Sequence, residues 1–378
     1  MEARKSQLSP QRQDVDSDAY GPWAWLCLVT RATLITATLM VKAITFIPPS
    51  RRKGLSWHQS VGYEALRSYQ EGLDASGFQH VLPSTATTCR QYAQKYGLPH
   101  ERIRLEDSDK TSATWLGPSD ASKVVVVFHG GGYAAPILPT DLDMAFGFSD
   151  MKNSPPQGVA VVVLEYALAS EKRNQYPRQL CQTATLVQHL IDSGRASPLS
   201  MILLGDSAGG HLLLGFLLHS RNRNPAVKTL NLNGEKFAGI VLTSPWVELS
   251  PSNPYEPPVA AMRDVITSRS LTYWGSNLLK GKQLDSWNSP LSAPIEWWND
   301  LPVDHLLVIY GGQELFRDDV AKLADILETA QPCANLKVAR FEGEVHVHML
   351  MNRLLMVNKP CESEKVFLKW YQERLASP

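Results

Sequence analysis

Met201-Ile-Leu-Leu-Gly-Asp-Ser-Ala-Gly-Gly210 is the stretch from which the rest of the chain is read. An apolar run ends at Gly205, Ser207 follows between small residues, and a leucine-rich helical pattern begins at His211. That order predicts a strand, a sharp turn and a helix, with a hydroxyl at the apex. Gly205-Asp-Ser-Ala-Gly209 fits the G-x-S-x-G pattern, whose bend is tight enough to require glycine on both sides of an exposed serine. A plain Gly-Ser turn fits the same five residues, so the surrounding chain has to decide.

An unbroken apolar strand, Val124–Phe128, runs into His129-Gly-Gly-Gly132-Tyr133. Backbone N–H groups in such a run can approach a ligand closely, and acyl transfer needs donors of that kind around a developing oxyanion. A serine hydroxyl also needs a base, and the base needs a carboxylate. The acid and then the histidine should follow Ser207, each in the loop after a late strand. His305–Tyr310 ends in Gly311-Gly-Gln-Glu314, and Leu336–Phe341 ends in Glu342-Gly-Glu-Val-His346. Glu314 and His346 are therefore the candidates, with Asp318 or Asp319 as alternative acids and His348 as an alternative base. Asp318 and Asp319 also suit the start of a helix, where negative charge is favoured.

Apolar strands are predicted at 123–128, 159–166, 200–204, 237–243, 304–310 and 336–341. Helices are predicted at 140–152, 177–194, 208–220, 317–330 and 363–375. Alternation of this kind implies a mostly parallel sheet covered on both faces. Ile103, Leu105, Ala113 and Trp115 suggest an opening hairpin across Asp107-Ser-Asp-Lys110. Between Thr243 and Asp304 lies a stretch rich in Pro, Trp and Ser, too long for a simple loop. It is read as a lid, with Trp246, Trp274, Trp287, Trp297 and Trp298 forming either ordinary core or an apolar substrate wall.

The chain has 378 residues and is 44% hydrophobic, enough for a substantial core. Lys+Arg and Asp+Glu are both 37, so no charge excess points to nucleic acid. The five cysteines are scattered without a C-x-x-C pair, which indicates neither a disulfide framework nor a metal site. No glycosylation acceptor is present either, and an intracellular location is expected. Residues 1–20 are polar and predicted disordered. Residues 21–50 contain an apolar stretch, Trp23–Ile47, broken by Arg31 and Lys42 and followed by Arg51-Arg-Lys53. It is read either as an anchor that spans or lies on a membrane, or as a long amphipathic helix packed on the main domain. Residues 51–100 are predicted helical, their aromatics covering the mouth of the site.

The ordered blocks resemble the hormone-sensitive-lipase-like branch of the α/β-hydrolase family, and within it fungal members of small-molecule metabolism. His129-Gly-Gly-Gly132 is similar to the family's oxyanion motif and Gly205-Asp-Ser-Ala-Gly-Gly210 to its elbow. Tyr166-Ala-Leu-Ala169 with Tyr176-Pro177 is similar to its Y-R-L-A-P block, Glu314-Leu-Phe-Arg-Asp318 to its acid motif, and Val345-His346 to its histidine motif. The resemblance covers residues 105–375. It implies Ser207 as nucleophile, His346 as general base and acid, Glu314 as orienting carboxylate, and Gly130, Gly131 and Ala208 as oxyanion donors, with no metal or cofactor. Two departures stand out: the family's acid is Asp, and Ala167 replaces its Arg, which leaves Glu165 without an assigned role.

The expected fold is one α/β-hydrolase domain over 101–378, with a mostly parallel sheet, helices on both faces and a helical cap that includes an insertion at about 246–300. The expected function is hydrolysis of a hydrophobic small-molecule ester, of terpenoid or polyketide type, through an acyl-enzyme. An acyltransferase or cyclase using the same triad, and a non-catalytic small-molecule receptor, are the alternatives.

Overall fold

A computed structural model of the chain describes residues 21–45, 55–249, 264–357 and 359–377, with side chains from 42 to 45 excepted. The predicted tail 1–20, Lys42, the basic run Arg51–Lys53 and part of the insertion, 250–263, lie outside the described residues.

Four helices come first: α1 (Pro22–Thr45), α2 (Trp57–Gly72), α3 (Ala75–Val81) and α4 (Thr85–Tyr96). Then come β1 (His100–Arg104), β2 (Ser112–Leu116), β3 (Lys123–Phe128), α5 (Pro139–Ala145), β4 (Val159–Leu164) and α6 (Arg178–Asp192). The elbow follows as β5 (Met201–Asp206) and α7 (Ser207–Arg221), then β6 (Gly239–Thr243) and α8 (Ser268–Leu279). The chain closes with β7 (His305–Gly311), α9 (Arg317–Ala330), β8 (Asn335–Phe341), α10 (His348–Leu354) and α11 (Glu362–Ala376).

The eight strands form one sheet in the order β1-β2-β4-β3-β5-β6-β7-β8. Pairing is antiparallel at β1–β2 and β2–β4 and parallel elsewhere. Every residue of β3, β4, β5 and β6 is buried, so both faces are covered and the strands read as continuous apolar runs rather than alternating ones. Burying a Val or Leu side chain stabilises by about 1.5–3 kcal/mol, which makes this slab the rigid platform for the loops at its carboxyl edge.

Most expected boundaries shift by only one or two residues, and one shifts further. The helix expected to reach residue 152 ends at Ala145, because Gly147 and Phe148 take positive φ and close a turn. The strand expected to start at 237 starts at Gly239, Phe237 making only an isolated bridge to Val303. Glu165 also finds its partner: Arg102 on β1 reaches it at 2.6 Å and Thr114 donates to it at 2.6 Å. A guanidinium from the opening hairpin thus serves the carboxylate that Ala167 cannot.

α1 lies along α2. Leu28 is buried, Ile35 packs on Gly72, Thr36 Oγ1 is 2.7 Å from the Tyr69 hydroxyl, and Arg31 pairs with Asp74 at 3.7 Å. The opposite face exposes Trp23, Leu26, Val29, Leu34, Met40 and Val41. Thr30, Thr33, Thr36 and Thr38 each donate to the carbonyl four residues earlier, so none of these four hydroxyl protons faces outward. By length and composition, Pro22–Val41 could cross a membrane.

Candidate active site

The serine is positioned by backbone geometry. Ser207 has φ +49, a left-handed conformation that costs a non-glycine residue energy and is held only where its surroundings dictate it. Gly209 is the reason the turn can close, since a Cβ there would lie 1.7 Å from the Phe128 carbonyl oxygen. The Ser207 carbonyl accepts from the Trp246 N–H at 2.9 Å, which ties the elbow to the start of the insertion.

His346 and Ser207 meet, with Nε2 2.9 Å from Oγ. On the far side of the ring the contact is looser. His346 Nδ1 is 3.9 Å from Glu314 Oε2, and neither Nδ1 nor Glu314 Oε1 has a hydrogen-bond partner among the described residues. Glu314 Oε2 instead accepts from the Ser244 hydroxyl at 2.6 Å and the Gly311 N–H at 3.1 Å. Ser244 Oγ in turn accepts from the Val347 N–H at 3.1 Å. Asp264 makes a second tie between the same loops, accepting from Leu315 N–H at 2.7 Å and His346 N–H at 3.0 Å. Resting carboxylate–histidine contacts of this length commonly shorten when substrate binds.

Burial drives both titrating groups toward their neutral forms. It lowers His346 to about 3, so the ring is a free base at neutral pH. It raises Glu314 to about 8, against the opposing pull of the Ser244 hydroxyl. A neutral imidazole against a serine hydroxyl can take its proton, and a carboxylate behind the ring can steady the cation that results. Phe316 meets the His346 ring edge-on at 4.9 Å and stacks on Trp246, forming an apolar wall beside the base.

The oxyanion loop differs from expectation at one position. Gly130 N–H donates to Asp206 Oδ1 at 2.8 Å, so it is committed to the elbow and unavailable to substrate. Asp206 shares its buried site with Asp141, and burial plus that neighbour hold its carboxyl well above the usual range. Gly131 and Gly132 have φ +96 and +61, and their N–H groups donate to no described residue. Ala208, at the first turn of α7, likewise has no intrahelical acceptor for its N–H. His129 is structural, bonding the Gly130 carbonyl at 2.8 Å, and burial lowers it to about 4.

The alternatives lie elsewhere. Asp318 pairs with Arg317 in solvent, Asp319 pairs with Lys322, and His348 turns its Nδ1 to the Tyr63 hydroxyl at 3.3 Å. The tryptophans divide: Trp246 and Trp298 are fully buried core, whereas Trp274 lies directly over Gly132, where a Cβ would come within 2.4 Å of its ring. The aromatics of 55–100 mostly fasten α2 and α4 to the body; Tyr63 is buried and Tyr92 donates to Asp143 at 2.9 Å. Asp264, Ser244 and Asp141 belong to no motif, and nothing local in the sequence marks them.

Among the described residues no group of three or more His, Cys, Asp or Glu is arranged to hold a metal ion. A family profile of the alpha/beta hydrolase fold matches residues 125–350. Among characterised proteins, "Putative steryl acetyl hydrolase mug81" of Schizosaccharomyces pombe is 25% identical over 287 residues, 70% of this chain and 66% of that protein. Steryl acetyl hydrolase 1 of Saccharomyces cerevisiae is 31% identical over 101 residues, 26% of this chain and 22% of that protein. The chain thus spans just under two thirds of the first relative and a smaller part of the second. Among solved structures, an esterase of the bacterial hormone-sensitive lipase family superposes with TM-score 0.59 at 21% identity, covering 85% of this chain and 98% of that one. A thermostable esterase from Pseudomonas putida superposes with TM-score 0.63 at 18% identity, covering 85% and 97%.

Proposed function

The chain belongs to the α/β-hydrolase fold family, and from that premise we propose that it is a serine esterase that cleaves a short acyl group from a hydrophobic alcohol. The observation that carries this is the 2.9 Å contact between Ser207 Oγ and His346 Nε2, beside amides with no other partner. Ser207 attacks the ester carbonyl as Nε2 takes its proton. Gly131, Gly132 and Ala208 N–H groups receive the oxyanion, and Glu314 steadies the imidazolium. The alkoxide leaves with the proton from Nε2, and water repeats the sequence on the acyl-enzyme. Gly130 takes no part in this reading, because Asp206 already holds its N–H.

The steryl acetyl names of the two fungal relatives favour an acetylated sterol or similar terpenoid alcohol as substrate. The apolar outer face of α1 supports a membrane-associated protein that meets such a substrate in lipid. The test is turnover of p-nitrophenyl esters of graded length and of a steryl acetate, with Ser207→Ala and His346→Ala as controls. Both variants should lose about 10⁵-fold or more in kcat, and acetate should be preferred to octanoate. Failure of a fluorophosphonate to label Ser207 in the wild-type protein would sink the proposal.

A further inference from the structure

Asp264 is fully buried at the entry to α8, and its carboxylate is met by backbone N–H groups. Oδ2 accepts from Leu315, the residue after Glu314, at 2.7 Å. Oδ1 accepts from His346 itself at 3.0 Å and from Val265 at 2.8 Å. The backbone carbonyl of Asp264 accepts from Arg67 Nη1 at 2.5 Å, and Arg67 Nη2 reaches Glu64 at 2.6 Å, so α2 braces the far end.

Placing a carboxylate in the interior is costly unless its lone pairs are used, and here two of the three amides that use them come from the loops after β7 and β8. We infer that Asp264 is a positioning residue for the ester hydrolysis proposed above: it sets the spacing of Glu314 and His346 by tying together the backbones that carry them. Side-chain contact between acid and base is too long to do this itself, at 3.9 Å. Ser244 bonds Glu314 directly, whereas Asp264 touches neither reacting side chain and governs only where their loops stand. Its place inside the insertion also makes the cap part of the triad's frame: the segment that enters α8, the helix carrying Trp274, is the one that holds the base in register.

This rests on the esterase reading, so the experiment separates the two. kcat and KM for p-nitrophenyl acetate are measured on the full chain, per serine titrated with a fluorophosphonate, for wild type, Asp264→Asn, Glu314→Gln and the double variant. Asn can accept one of the loop amides but turns an N–H₂ toward the other. Asp264→Asn should lower kcat per titrated serine by about 10–100-fold, with KM changed by less than about twofold. In the Glu314→Gln background the same change should cost less than about twofold, because the contact it aligns is already gone. A purely structural Asp264 would instead reduce the fraction of titratable serine and leave kcat per site intact; that result, or equal losses in both backgrounds, overturns the inference. If Asp264→Asn yields only aggregate, Arg67→Met loosens the outer brace alone. It should lower kcat per site several-fold at constant KM, and an unchanged kcat overturns the inference equally. A wild-type protein that takes no label ends the esterase reading and this inference with it.

Discussion

The two halves of the catalytic rim are held by different means. On the nucleophile side the backbone does the work: Ser207 sits at φ +49, Gly209 leaves no room for a Cβ, and the Gly130 amide is locked to Asp206. On the acid side, side chains from positions 244, 264 and 314 brace two loops across a gap, and the Glu314–His346 contact itself is still open at 3.9 Å. One half is rigid by exclusion of space, the other adjustable by exchange of hydrogen bonds.

The contrast can be broken at its strongest point first. Gly209→Ala should cost more than about 4 kcal/mol, since neither the Phe128 carbonyl nor the elbow can move away, and soluble folded protein should be lost. A stable Gly209→Ala protein with normal labelling of Ser207, read by chemical denaturation and probe incorporation, would refute the rigid half of the comparison. On the adjustable side, Glu314→Gln should leave the fold intact and reduce kcat by about 10³–10⁴-fold, as expected when an orienting carboxylate is neutralised. A loss below tenfold would transfer the acid role elsewhere.

The pH dependence is the most diagnostic. Burial raises Glu314 to about 8, so the ionised form that supports the imidazolium is gained as pH rises through that value. kcat/KM should therefore climb by roughly tenfold per pH unit up to about 8 and level above it. His346, lowered to about 3, stays unprotonated over that range and adds no second limb. The limb should vanish in Glu314→Gln. Stability responds separately: below 6.5 an unfolded histidine binds a proton that buried His346 refuses, so the contribution of His346 is lost as pH falls from there toward 3, whereas that of Glu314 is lost as pH rises from 4.5 toward 8.

The same contrast governs what could be read from the chain. The sheet and the elbow were legible because unbroken apolar runs and a tight Gly-x-Ser-x-Gly bend are local properties. Ser207, His346 and Glu314 could be singled out because each follows a strand end, and the structure brings the first two into contact. Which glycine amides remain available could not be read, because the partner that claims Gly130 is a carboxylate on another strand. α8 is masked in sequence by the Pro- and Trp-rich stretch around it, although Thr267 caps its first turn and Leu271, Trp274 and Leu278 mark one buried face. Asp264 offered no signal at all. Its importance comes from two amides far along the chain, and no pattern around position 264 announces them.

The indole of Trp274 lying over Gly132 binds the evolutionary fates of two distant positions. Exchanging the tryptophan for something smaller creates no clash beneath it and costs only the cavity it leaves in a buried site. The reverse path is barred: at φ +61 a side chain at 132 is strained even before it meets the ring. Variation should accordingly be tolerated at 274 before it is tolerated at 132.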